Sequence, residues 1–236
     1  MDAPTLSDRV TVKAPGKLTI FASYFSGTGK THAMLEAART AKQEGRDVVI
    51  GLLSCDAWPS VQAETEGFEA VRCKTVTQDG RTESEIDLDA CIQRLPQLIL
   101  IDDLSHTNRG ESRHRKRYQD IEELLIAGID VYTTLDVQHI ESIQDTVVSI
   151  LGSSISERIP DHVFDRASRV EFIDMDPERL QQRLLEHKKG QLLSGYSLSQ
   201  LSALREIGLR RCADRAALYT QAWQNGTGYR SHEHIL

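Results

Sequence analysis

Residues 17–31, KLTIFASYFSGTGKT, join a short apolar run to a glycine-rich loop, and the chain continues at once into THAMLEAARTAKQEG. The loop ends Gly-Thr-Gly-Lys-Thr, the closing half of the phosphate-loop pattern G-x-x-x-x-G-K-[ST]. KLTIFAS reads as a buried strand. The following segment has helical periodicity, with Met34, Leu35, Ala38 and Ala41 on one face and Gly45 as its stop. Strand, glycine loop and helix in that order are the context the pattern requires. Gly27 and Gly29, with Thr28 between them, permit backbone angles that aim successive N–H groups at phosphate oxygens. The N-terminus of the next helix adds its dipole. Lys30 is expected to reach the β- and γ-phosphates and Thr31 to ligate Mg²⁺. Tyr24 stands where the pattern has its first glycine, and a side chain there is expected to narrow the loop mouth or stack on a base.

Outward from this stretch, strand-like and helical patterns alternate, which predicts an α/β fold with a parallel sheet. DVVIGLL, QLILIDD, IDVYTTLD and SRVEFIDM are the further central strands, and EAVRCKTVTQDGR is a strand or hairpin limb. SEIDLDACIQRL, RYQDIEELLIAG and VQHIESIQDTVVSILG read as helices. The expected sheet order is 2-3-1-4-5, with the glycine-loop strand beside the QLILIDD strand. After Asp176 the pattern is helical and polar through PERLQQRLLEHKKG and SLSQLSALREIGLRRCADRAALYTQAW. Residues 1–16 are expected to be a flexible arm, 17–176 a nucleotide-binding domain, and 177–236 a helical C-terminal extension and tail.

QLILIDD has the Walker B form, an apolar strand ending in an acid. Asp102 is therefore the candidate Mg²⁺ holder beside Thr31, and Asp103 the candidate water-activating acid. A strand capped by solvated aspartates is the plainer alternative for both acids. The segment SHTNRGESRHRKRY carries Arg109, Arg113, His114, Arg115, Lys116 and Arg117. It is read as a solvated basic loop that could dock an acidic partner, with one or two residues able to reach phosphate. Thr133 and Thr134 end a strand on the same edge. Asp136 is equally well explained as a helix N-cap, and His139 as a helix-face residue.

The 236 residues are 39% hydrophobic and 27% charged, as in ordinary globular proteins. A net charge of −7 argues against general nucleic-acid binding. No apolar run approaches the roughly 18 residues of a membrane span, and the N-terminus lacks a secretory h-region. The four scattered cysteines suit a reduced cytoplasmic protein without a structural metal.

The segments GKLTIFASYFSGTGKTHAMLEAARTAKQEGRDVVIG, LILIDDLSHTN, SRHRKRYQDIEELLIAGIDVYTTLDVQHIES and ALREIGLRRCADR together resemble the N-terminal cytoplasmic domain of the KdpD family. These bacterial sensor histidine kinases regulate the Kdp potassium pump and are anchored in the inner membrane. The resemblance covers about residues 17–220. It implies an ATP-binding, P-loop NTPase-like α/β domain with Mg²⁺ as cofactor, regulating the kinase and phosphatase balance of a parent receptor. The residues it carries over are Gly27, Gly29, Lys30, Thr31 and Asp102. Its implied partners are the other domains of a sensor kinase or another protein of the Kdp system.

Two departures stand out. The family loop runs Gly-Ala-Ala-Pro-Gly-x-Gly-Lys-Thr, where this chain has Ser23, Tyr24, Phe25 and Ser26 in the first four places. The family has Asp-Glu after the apolar strand, where this chain has Asp102-Asp103. Both bear on turnover more than on binding. The histidine kinase core of full-length members is not in this sequence. The resulting reading is an ATP-binding regulatory domain. Its rivals are a slow ATPase or protein Ser/Thr kinase, and a scaffold that does not depend on nucleotide.

Overall fold

The computed structural model describes residues 14–53, 59–78, 81–187, 189–193 and 196–224. Most of the expected N-terminal arm, and the tail from 225 on, lie outside the described residues. Six strands form a sheet in which every pairing is parallel: β1 (Leu18–Ser23), β2 (Val48–Leu52), β3 (Glu69–Ala70), β6 (Leu98–Ile101), β7 (Asp130–Asp136) and β8 (Arg169–Phe172). Between β3 and β6 the chain makes a separate antiparallel hairpin of β4 (Lys74–Gln78) and β5 (Arg81–Glu85).

The central strands are buried on both faces, so they read as continuous apolar runs rather than alternating ones. Alternation appears instead in where the side chains go. Ile20, Ala22, Ile99 and Ile101 enter one core; Phe21, Leu98 and Leu100 enter the other. The second core is covered by α1 (Lys30–Gln43), through Met34, Leu35, Ala38 and Ala41, and by Val61 of α2 (Pro59–Glu64). All the other helices lie over the first: α3 (Leu88–Arg94), α4 (Arg117–Ile126), α5 (Gln144–Leu151), α6 (Asp161–Asp165), α7 (Pro177–Glu186) and α8 (Leu198–Gln224). The two C-terminal helices supply Leu180, Leu184, Leu201 and Leu204 to that core.

The sheet order is β3-β2-β6-β7-β1-β8, which corrects the expected 2-3-1-4-5. The QLILIDD strand, β6, is not the neighbour of β1, because β7 lies between them. Apolar runs give strand identity but no information on lateral order, which is set by how the crossover helices pack.

Three local expectations also shift. Ser84 and Glu85 belong to the hairpin, and α3 starts at Leu88, where the Asp87 carboxylate accepts from the Ala90 amide at 3.2 Å. The VQHIESIQDTVVSILG segment opens with two 3₁₀ turns, and α5 starts only at Gln144. Extended backbone at Ile140, in a parallel bridge with Ile159, interrupts the helix there. His139 consequently lies in a 3₁₀ turn, its Nδ1 2.8 Å from the Glu157 carbonyl. α6 was not expected from the sequence.

Candidate functional site

The carboxyl ends of β1, β7 and β6 lie side by side, and parallel α/β sheets present their ligand crevices along this edge. β1 delivers the glycine loop. Gly27 and Gly29 have φ of 89° and 107°, left-handed values that a side chain disfavours. Gly29 is also the residue from which α1 starts, so the loop amides and the helix N-terminus share one concavity. A cleft of about 470 Å³ opens above it. Its walls include Gly27, Gly29, Lys30, Thr31, Asp102, Asp103, Thr134 and Asp136, with Glu64 and Arg183.

Lys30 is nearly buried, at 9% exposure. Its Nζ donates to the Phe25 carbonyl at 3.1 Å and to Asp136 Oδ1 at 2.6 Å, which poises the ammonium across the loop. Asp136 therefore does something the sequence did not indicate. Its side chain caps no helix and instead neutralises Lys30 from the end of β7. The register that pairs Ser23 with Asp136 brings the two together.

The Thr31 hydroxyl lies 3.5 Å from Asp102 Oδ2, a loose contact with room for a bridging cation. The other carboxylate oxygen, Oδ1, accepts from the Thr134 hydroxyl and, at 3.0 Å, from the Asp103 amide. Burial pushes the Asp102 carboxyl above the usual aspartate range. The Thr134 bond and the Lys30 charge work against that shift, and Asp103 adds to it. A buried acid so placed favours a cation beside it. Although β7 separates β6 from β1, Thr134 bridges the gap, and Asp102 still meets Thr31.

Asp103 has a φ of 55°, left-handed for a residue with a side chain. Its Oδ1 is engaged within its own loop, accepting from the Ser105 hydroxyl at 2.7 Å and the Ser105 amide at 3.1 Å. This Asx-type turn fixes the carboxylate at the rim of the cleft. The Thr28 hydroxyl turns inward to the Phe25 carbonyl at 3.2 Å, leaving only its backbone for a ligand.

Tyr24 overturns its expectation. The side chain has 0% exposure, and its hydroxyl donates to the Met175 carbonyl at 2.8 Å, on the loop after β8. It neither narrows the mouth of the cleft nor faces it. Phe25 is also buried, edge-on to Tyr196 with ring centroids 4.8 Å apart. Tyr24 and Phe25 are thus packing anchors, whereas Ser26 is exposed on the cleft.

In the basic segment Arg109, Arg113 and Arg115 are exposed, as expected of a solvated loop, and the correction is at Arg117. Arg117 is buried at 3% exposure, giving Nη2 to Glu85 at 2.9 Å and Nη1 to the Asp102 carbonyl at 2.9 Å. Arg113 pairs with Asp89 and Glu123, Arg109 with Glu83, and His114 with Glu123. Lys116 donates to the Thr107 hydroxyl at 2.7 Å. These side chains are absorbed in holding the loop and hairpin, and none of them lines the cleft. Arg183, by contrast, reaches the cleft from α7 and had no sequence signal, because its position is set by the packing of a helix far downstream of the loop.

The residues present fit a polyphosphate with its metal: positive-φ glycines at a helix start, an aligned lysine, and a hydroxyl facing a buried carboxylate across a gap. No helix among the described residues is long and apolar enough to cross a membrane.

Comparison with known proteins bears on the whole chain. Residues 14–216 match the family model described as KdpD, osmosensitive K⁺ channel His kinase sensor domain. The chain is 46% identical over 210 residues to the sensor protein KdpD of Clostridium acetobutylicum, covering 86% of this chain and 23% of that protein. It is 42% identical over 234 residues to the Escherichia coli sensor protein KdpD, covering 96% and 26%. With the Mycobacterium tuberculosis sensor protein KdpD the identity is 36% over 215 residues, covering 88% and 25%. The chain spans about a quarter of the length of these relatives.

Proposed function

The chain belongs to the KdpD family of osmosensitive K⁺ channel His kinase sensor domains, and from that premise we propose that it binds Mg²⁺–ATP at the glycine loop as a regulatory input. The reading extends to a two-component system responding to potassium, in which occupancy of the cleft alters the output of the remaining sensor-kinase domains on the cytoplasmic side. The observation that carries it is the convergence of Lys30, Thr31 and Asp102 on one cleft above two left-handed glycines.

In this reading the backbone from Gly27 to Thr31, together with Lys30, would hold the phosphates, and Thr31 and Asp102 would hold Mg²⁺. The metal, when bound, screens phosphate charge. Thr134 positions Asp102 by occupying its second oxygen, so that Oδ2 remains directed at Thr31. Asp136 holds the ammonium of Lys30 ready and yields it to an incoming phosphate. Asp103, tied back to Ser105, is poorly free to polarise a water, which favours slow turnover and long occupancy. Slow hydrolysis suits a sensor, because occupancy then reports nucleotide level rather than flux.

The test is a thermal melt with and without Mg²⁺–ATP. At a free concentration near 100 times Kd, binding adds about 2.7 kcal/mol, a rise of about 5–10 °C for a chain of this size. Lys30→Ala is expected to abolish the rise. No shift of the unmodified chain at millimolar ATP would reject nucleotide binding and favour a scaffold. Phosphate release faster than about 1 s⁻¹, within the usual enzyme range, would replace the slow sensor with an enzyme.

A further inference from the structure

Helix α7 walls one side of the cleft above the glycine loop through Arg183, and Tyr24 and Phe25 of that loop tie down the segments from which α7 and α8 start. Tyr24 bonds the Met175 carbonyl immediately before α7, and Phe25 packs on Tyr196 just ahead of α8. Asp174 in the same loop is held by Arg205 of α8, whose Nε donates to Oδ1 at 2.6 Å. α7 starts at an Asp176 cap, with the Glu178 amide 2.9 Å from the carboxylate, and is locked by fully buried Leu180 and Leu184. Arg183, the neighbour of Leu184, is thereby fixed over the loop. Its Nη1 lies 3.7 Å from where a Cβ on Gly29 would stand.

Charge shows what this placement is suited to. Four carboxylates line the cleft, Glu64, Asp102, Asp103 and Asp136, against the basic side chains of Lys30 and Arg183 and two histidines, His32 and His187. Lys30 already has Asp136 at 2.6 Å. A multiply charged phosphate chain entering an acidic cleft is favoured by cation beyond one lysine, in addition to the loop amides and Mg²⁺. A guanidinium matches phosphate oxygens bidentately and keeps its charge at any working pH.

We infer that Arg183 is a phosphate ligand, contributed by the C-terminal helix α7, which completes the nucleotide site beside Gly29. The inference rests on the proposed nucleotide binding and extends it: the element that registers occupancy is α7, and with it α8. A ligand shared between the loop and α7 binds best when α7 is seated, so binding shifts the chain toward that arrangement.

The test uses the full chain with two probes, Mg²⁺–ATP and Mg²⁺–pyrophosphate, titrated calorimetrically into the unmodified protein, Arg183→Ala and Arg183→Lys. Loss of a charge-assisted phosphate contact is expected to weaken both probes by about tenfold or more in Arg183→Ala. Arg183→Lys should fall between the two, since the charge stays and the bidentate fork is lost. Amide exchange across 180–184 should slow on adding either probe to the unmodified chain and not to Arg183→Ala. Affinities for both probes within twofold of the unmodified protein would overturn the inference. Weaker ATP with unchanged pyrophosphate would also overturn it, by assigning Arg183 to the base. A nucleotide-free melting temperature of Arg183→Ala well below that of the unmodified protein moves the decision to Arg183→Lys, where unchanged affinity for both probes overturns the inference. If the unmodified chain binds neither probe, the nucleotide reading itself is rejected.

Discussion

Tyr24 occupies the place of a glycine without doing a glycine's work, and the difference is measurable. Its ring is sealed in the core and its hydroxyl holds the β8–α7 loop. Tyr24→Gly restores the loop pattern yet empties a large buried volume, so it is expected to cost about 4 kcal/mol without tightening ATP binding. Tyr24→Phe should cost only about 1 kcal/mol, the net value of one hydrogen bond. Urea unfolding of the two variants separates ring from hydroxyl, and a Tyr24→Gly protein of unchanged stability would contradict the buried placement. Asp136 makes the complementary case. Its partnership with Lys30 matters most when no phosphate competes for the ammonium. Asp136→Asn should therefore lower the nucleotide-free melting temperature while enlarging the rise on adding Mg²⁺–ATP. A smaller rise would mean that Asp136 assists binding rather than holding Lys30 in reserve.

Among elements, the β4–β5 hairpin is wired to the site without lining it. Glu85, the last residue of β5, is 2% exposed and accepts from Arg117, from His106 Nε2 at 3.0 Å and from the Arg109 amide at 2.8 Å. Arg117 then bonds the carbonyl of Asp102. Burial alone would raise the Glu85 carboxyl, but the His106 and Arg109 bonds and the Arg117 charge hold it below the usual glutamate range. A depressed acid contributes stability that is complete above its ordinary value of about 4.3 and is lost as pH falls through the lower folded value. Glu85→Gln leaves Arg117 buried with a neutral partner, which costs about 3 kcal/mol, a fall in Tm of about 6–12 °C for a chain of this size. The gap between the two proteins should be full at pH 7 and narrow progressively as pH falls from the ordinary glutamate value through the lower folded value. Melts across that range check it, and a gap that widened toward acid would reverse the assignment.

For the molecule as a whole, the decisive feature is that α7 and α8 share the apolar core of the sheet. Leu184 has 0% exposure in the same cluster as Ile20, Ile99 and Leu201. Leu184→Ala is expected to cost about 3 kcal/mol and to leave a single unfolding transition. Two calorimetric transitions would instead mark residues 177–236 as a unit that unfolds by itself. The sequence alone was enough for the class of fold, the strand–loop–helix at residues 18–43, and the grouping of Lys30, Thr31 and Asp102, because buried parallel strands are continuous apolar runs and a glycine loop at a helix start is a local device. It was not enough for the sheet order, the burial of Tyr24 and Arg117, the Lys30–Asp136 pair or the approach of Arg183. Each of those joins residues far apart in the chain. Their partners are chosen by lateral strand order and helix packing, which depend on how whole faces fit together rather than on any pattern within one segment. In this protein local sequence specified the glycine loop at the start of α1, and only tertiary packing decided which side chains stand around it.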